Sequence, residues 1–186
     1  APRNWQLARG LIHMHNVYSH DACDGRPIAE DGTPDWPCHE RFRAAICNTR
    51  QDFVLMTDHP GSVAERTLLE ALYHQDGDTL EQGPGGPRAN HVHCDDGHRV
   101  LLTAGSEGDL MPVMFEAMPE PARLRDRTPE GSAALKAAGA LVFQAHMERF
   151  TGEEAQPWGL DGMEIYSIHA NLDPRGEILR EVLPDL

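Results

Sequence analysis

Two histidines one residue apart, His13 and His15, follow the apolar pair Leu11-Ile12 within the stretch GLIHMHNVYSHDACDG, residues 10–25. Residues i and i+2 of a strand face the same side, so this pair can share one cation. Further candidate ligands stand where each later apolar run gives out: Asp58-His59 after DFVLMT, Glu107 after RVLLTAGS, His146 after ALVFQA and Glu164 inside GMEIY. His20 and Asp21 lie just beyond the first pair. Imidazole nitrogen combined with carboxylate oxygen suits Zn, Mn or Fe, whereas Mg alone favours oxygen donors. A lone histidine at a strand end is more often a hydrogen-bonded structural residue. The ordered set is what argues for a metal ring.

The elements that must position these residues read as alternating strands and helices. Residues 9–16 form a first strand and 22–37 a Gly/Pro/Asp-rich loop. Residues 38–50 read as a helix with Phe42, Ala45 and Ile46 on one face. The run 52–57 is continuously apolar, the pattern of a strand covered on both faces. Ser62 to Glu65 fits a capping box that opens a helix to about Tyr73. A Gly/Pro-rich stretch, 77–97, reads as a loop before the apolar run RVLLTAG. Thr128-Pro129 starts a helix that Gly139 stops, ahead of ALVFQAH, and a last strand begins near Met163. Strand-then-helix alternation predicts parallel strands with helical crossovers, whose C-terminal ends gather the chemistry at one mouth.

A chain of 186 residues suits one domain over 1–186. No window approaches the roughly 18 unbroken apolar residues of a membrane span. The first residues, APRNWQLARG, carry no apolar core like that of a signal peptide, although a processed terminus would look the same. The sequence is compatible with a cytoplasmic or an exported setting. Net charge is −14, which argues against a sequence-independent grip on nucleic-acid backbones. Cys23, Cys38, Cys47 and Cys94 contain no C-x-x-C pair, so they are two disulfides or four thiols rather than a zinc ribbon. Gly83 to Gly86 carry no nucleotide P-loop pattern.

The segments LIHMHNVYSHDA, LMTDHP, LLTAGSE, VFQAH and GMEIY resemble, in this order, the successive motifs of the PHP (polymerase and histidinol phosphatase) metallohydrolases, over about residues 10–170. The resemblance implies a distorted seven-stranded β/α barrel, truncated at the C-terminus here, that holds two or three divalent metal ions (Zn, Mn or Fe). It implies a phosphoesterase acting on a small phosphorylated substrate, with a metal-bridging hydroxide attacking phosphorus. Carried over by position, His13 and His15 match the opening ligand pair, and Asp21 matches the next ligand through the YSxD form, with His20 as the competing reading. His59 matches the ligand of Thr-Asp-His, Asp58 the acid orienting it, Glu107 the carboxylate bridging two metals, and His146 the later strand-end ligand. Glu164 aligns with a segment where a ligand role is irregular.

The family's closing Asp-x-His has no counterpart in ILREVLPDL, and only about five strands are expected where the family has seven. A barrel shortened in this way lacks one or two ligands, so a non-catalytic, metal-binding PHP-like module is one alternative. Another is an amidohydrolase cleaving C–N or C–O bonds, though the sole lysine, Lys136, falls inside a helix rather than at a strand end. Arg149, three residues after His146, is a candidate phosphate clamp or equally a surface ion-pair partner. His91, His93, Cys94, Asp95, Asp96 and His98 read as a solvated loop cluster, and His169 as a rim or loop-capping residue.

Overall fold

The computed structural model of the chain describes residues 7–146 and 151–164. The first apolar run forms strand β1 (Gly10–Met14), and a helix α1 (Trp36–Asn48) leads into strand β2 (Phe53–Met56). Asp35 caps α1 by accepting the Cys38 N–H at 2.9 Å, and Pro37 sits in the first turn, where its missing N–H costs nothing. β2 is apolar throughout because its two faces enter two different cores. Val54 and Met56 pack with Ile46 of α1, while Leu55 joins Met111, Val113 and Ala145 on the other side. Full burial of each such side chain contributes about 1.5–3 kcal/mol.

Two short helices, α2 (Pro60–Val63) and α3 (Leu68–Ala71), replace the single helix expected from Ser62 to Tyr73. The capping box is formed by Thr67 and Glu70, not by Ser62 and Glu65. The 77–97 stretch is not a loop. It is an antiparallel hairpin of β3 (Thr79–Gly83) and β4 (Gly86–His93), with Gly86 at φ +130° in the turn, a conformation open to glycine. β5 (Arg99–Thr103), β6 (Leu110–Val113), α4 (Pro129–Ala137), β7 (Leu141–Gln144), α5 (Gly152–Ala155) and β8 (Gly162–Met163) complete the described strands and α-helices.

The expected β/α barrel is not what these strands build. They form a five-stranded sheet in the order β1-β2-β5-β4-β3 and a three-stranded sheet in the order β6-β7-β8, and no closed barrel exists among the described residues. β1, β2 and β5 are parallel neighbours, as the alternation predicts. The next place beside β5 is taken by β4, which pairs antiparallel, and β6 pairs antiparallel with β7. A hairpin that folds back on β5 occupies the edge a further parallel strand would need, so the ring cannot close there.

The two sheets meet where Gly105 bridges Val113. A Cβ on Gly105 would lie 2.8 Å from the carbonyl oxygens of both Met56 and Pro112, so only glycine allows this approach. Two disulfides, Cys23–Cys38 and Cys47–Cys94, fasten the 22–37 loop to α1 and α1 to the end of β4. No described helix is long and apolar enough to cross a membrane.

Candidate metal centre

The ends of β1, β2, β5 and β7 all deliver side chains to one place. The β1–β2 register is irregular between Leu11 and Met14, and the histidines either side of Met14 converge. Their Nε2 atoms are 3.2 Å apart. Two imidazole nitrogens bound at about 2.0–2.1 Å to a tetrahedral ion would be about 3.3–3.4 Å apart. The pair is already close to that spacing.

Glu107 stands at the floor of the site. Its turn is held by Asp58, whose carbonyl accepts the Ser106 hydroxyl at 3.0 Å and the Glu107 N–H at 3.2 Å. The carboxylate is only 4% exposed. Oε1 lies 2.7 Å from His146 Nε2, while Oε2 lies 2.8 Å from His59 Nδ1 and 3.7 Å from His15 Nε2. Oε2 nevertheless has no hydrogen-bond partner among the described residues, because the imidazole approaching it is off the bonding direction. Burial by itself would raise the Glu107 pKa. The bond to His146 and the charges of His59, His146 and His13 outweigh that and hold it below the ordinary carboxylate value. A buried anionic oxygen ringed by imidazoles and short of a donor is what a cation would complete.

Ligand atoms of His13, His15 and Glu107 lie within 4.8 Å of one another, as do those of His15, Asp21 and His59. His15 stands in both groups, with Nε2 toward His13 and Glu107 and Nδ1 3.0 Å from Asp21 Oδ1. Asp21 Oδ2 is 3.3 Å from His59 Nε2. At 46% exposure Asp21 is the solvent-facing acid of the pair, against Glu107 below. The structure therefore brings Asp21 among the histidines. His20 instead stacks its ring on that of His59, centroids 4.7 Å apart. Cys23, Asp35 and Cys38 also come close together, but their sulfurs are joined to each other and are not ligands.

Asp58 has a different place from the one expected. Both His59 ring nitrogens face Glu107 and Asp21, so Asp58 does not orient that ring. Its carboxylate accepts the Asn16 N–H at 2.7 Å and the Tyr73 hydroxyl, tying the end of β1 to the end of β2. Burial raises the Asp58 pKa against these bonds, and burial beside Asp58 pushes Tyr73 well above the ordinary phenol value. Asn16 in turn donates to His39 Nδ1 at 2.6 Å, and the His39 ring stacks on Tyr73. Burial, then the nearby Arg43 charge, lower His39 to about 4.

The acid that orients a candidate ligand is Glu164. Its Oε1 lies 3.0 Å from His13 Nδ1, leaving Nε2 to face His15, and its Oε2 accepts the His146 N–H at 3.2 Å. This is the carboxylate–histidine arrangement that fixes ring orientation at metal sites. His146 itself has φ +54°, a left-handed conformation directly after β7 that brings its imidazole to Glu107.

Arg149 and His169 lie outside the described residues. The expected loop cluster dissolves into separate contacts: His91 to Glu81, His93 to Thr79, His98 to the Gln51 carbonyl, and Cys94 in its disulfide. Asn16, Tyr73 and His39 were not legible in the sequence. Asn16 directly follows the His-x-His, and nothing in its type or spacing marks the bond it makes to α1. Compared with protein-family models, curated proteins and solved structures, the chain matches none.

Proposed function

We propose that this chain is a metal-dependent hydrolase of phosphate esters, with a small phosphorylated molecule as substrate. The observation that carries the reading is convergence. Five residues that are distant in sequence or converge from one strand end, His13, His15, Asp21, His59 and His146, gather around the buried carboxylate of Glu107. Their order along the chain is that of the PHP motifs, which is the reason for choosing phosphoesters over other substrates. Their nitrogen and oxygen donors fit Zn, Mn or Fe, two ions being served by the two triads.

Such ions polarise phosphoryl oxygens and make water a nucleophile near neutral pH. The rest falls to the protein. Glu107 would supply the carboxylate of the His13–His15 group, with Oε1 against His146 and Oε2 against His59, and Glu164 sets the tautomer of His13 so that Nε2 would be the ligating nitrogen. Asp58 and Tyr73 hold the strand ends in register beneath. Lys136, the sole lysine, pairs with Asp161 at 2.9 Å and is not among these ligands, so the carbamylated-lysine form of an amidohydrolase has no residue to use. Net charge of −14 weighs against nucleic-acid substrates, and two disulfides favour an oxidising or extracellular setting.

The test is elemental analysis of the purified protein combined with hydrolysis of p-nitrophenyl phosphate after loading with Zn²⁺ or Mn²⁺. The expected result is bound transition metal, and activity that disappears in His13→Ala and returns with metal only in the wild type. Metal without turnover would favour a binding module. Absence of both would refute the reading.

A further inference from the structure

Asp21 is the candidate ligand farthest from a strand, well beyond the end of β1 at Met14. Before it the chain is held. The Ser19 hydroxyl accepts the His59 N–H at 2.9 Å, and the Ser19 N–H donates to the Asn16 carbonyl at 2.7 Å. After it come a 3₁₀ turn, Cys23–Gly25, and the loop that ends at Asp35, the cap of α1. This loop bonds to itself: the Ala29 N–H to the Thr33 carbonyl, the Asp35 N–H to the Pro27 carbonyl, the Thr33 N–H to Asp31. Among the described residues no hydrogen bond or ion pair joins 24–34 to a strand or to any residue beyond Trp36. Only Pro27 of this segment is buried. What fixes it to the body is the covalent link from Cys23 to Cys38 in the first turn of α1.

The link also sits where the backbone is strained. Cys23 and Asp24 have φ +49° and +60°, a left-handed conformation uncommon for residues with a Cβ, which persists where the surroundings impose it. Cys23 packs against the core around Val17, Tyr18 and Ile46, and its sulfur lies 3.9 Å from Asn16 Oδ1. Asp21 is two residues before Cys23, so the path by which the chain leaves this ligand is set by the disulfide.

We propose that Cys23–Cys38 is a redox latch on the metal centre. Oxidised, it holds Asp21 against His15 and His59, so that a second ion binds; reduced, it releases Asp21 and leaves one ion on His13, His15 and Glu107. This rests on the two-ion reading above and not on the choice of substrate. The co-reactant is a dithiol. One of its thiolates attacks a sulfur of the pair, forming a mixed disulfide and freeing one cysteine. Its second thiol then displaces the other cysteine and closes the reductant's own disulfide, so two electrons and two protons pass to the protein. Both cysteines are half-buried, which leaves a path for that attack. Reduction returns to the loop the freedom that closure removed, and the left-handed pair relaxes. Cys47–Cys94 instead ties α1 to the end of β4, elements that carry no candidate ligand. The two-ion centre is therefore complete only in an oxidising setting.

The experiment counts bound Mn²⁺ by the EPR signal of the free ion. Mn²⁺ prefers oxygen and nitrogen to thiolate, so freed cysteines do not capture it. The full chain carries Cys47→Ser/Cys94→Ser, leaving one disulfide to reduce, and is measured before dithiothreitol treatment, after it with the reductant removed, and after reoxidation. Two ions are expected in the oxidised protein. On reduction the weaker one loses affinity about 10–100-fold, the usual cost of losing a partner that positions a ligand, and regains it on reoxidation. Asp21→Asn binds one ion when oxidised, and reduction changes nothing further. Cys23→Ser/Cys38→Ser holds one ion throughout, the retained ion showing that it folds. Two ions held equally in both redox states, or loss of both together on reduction, overturns the proposal alone. Fewer than two ions in the oxidised protein overturns the two-ion reading, and the latch with it.

Discussion

Replacing Glu107 by glutamine keeps the shape of the buried side chain and removes its charge. Two effects follow, and they separate by adding or withholding metal. Without metal, the variant loses a charge-assisted contact with His146 at 2.7 Å and the attraction to His59 at 2.8 Å. Hydrogen bonds to charged groups are worth about 1.5–3 kcal/mol, and a retained neutral bond from Gln recovers part, so a loss of about 1–2 kcal/mol is expected. With metal, the carboxylate is the acid of the His13–His15–Glu107 triad and also lies against His59 of the other, and an amide binds a cation poorly. An ion present at about a hundred times its Kd stabilises the folded state by about 2.7 kcal/mol. For a chain of this size each kcal/mol moves Tm by about 2–4 °C. Glu107→Gln should therefore bind one ion fewer and lose about 5–10 °C of the metal-induced rise in Tm, with phosphoesterase activity abolished. Melts with and without Zn²⁺, beside elemental analysis, decide it. Wild-type stoichiometry with an undiminished rise in Tm would show that Glu107 is not a ligand.

Three further outcomes are expected. Glu164→Ala frees the His13 ring, so Zn²⁺ affinity measured against a chromophoric chelator should fall about 10–100-fold, the usual cost of an outer partner; unchanged affinity would refute the orienting role. Asp21→Asn should lower metal content and activity while His20→Ala leaves metal content intact, because Asp21 contacts two histidines and His20 only stacks on one; the reverse ranking would make His20 the ligand. His39 stays neutral when folded down to about pH 4, whereas the unfolded chain protonates it below about 6.5. Its contribution is thus fully present above pH 6.5 and lost as pH falls from there toward 4, by about 3 kcal/mol at 1.36 kcal/mol per pH unit. Denaturant unfolding of metal-free His39→Gln should show a flatter pH dependence across that window, and a slope equal to the wild type would contradict the burial argument.

What the sequence by itself determined is local. The continuous apolar run at 53–56, Thr128-Pro129 opening α4, and the acids and histidines at apolar-run ends are properties of near neighbours, and the elements stand where those patterns put them. Candidate ligands were legible for the same reason, since a polar residue ending an apolar run shows in the chain itself. Tertiary structure decided everything that depends on distant pairing. The 77–97 stretch has the glycines and prolines of a loop, and only pairing of β4 with β5 makes it a hairpin, which in turn fills the sheet edge and excludes the barrel. The 62–73 segment fits one helix by capping pattern, yet it forms two short helices, and the box that forms is Thr67 with Glu70. Asp58 looked like the partner of the adjacent His59, but its carboxylate reaches Asn16 and Tyr73, 42 and 15 residues away. Glu164 found His13 across 151 residues. Spacing along a chain can show which side chains share a strand face. Which carboxylate turns to which imidazole is settled by burial and by competition among donors, and those exist only once the sheets have come together.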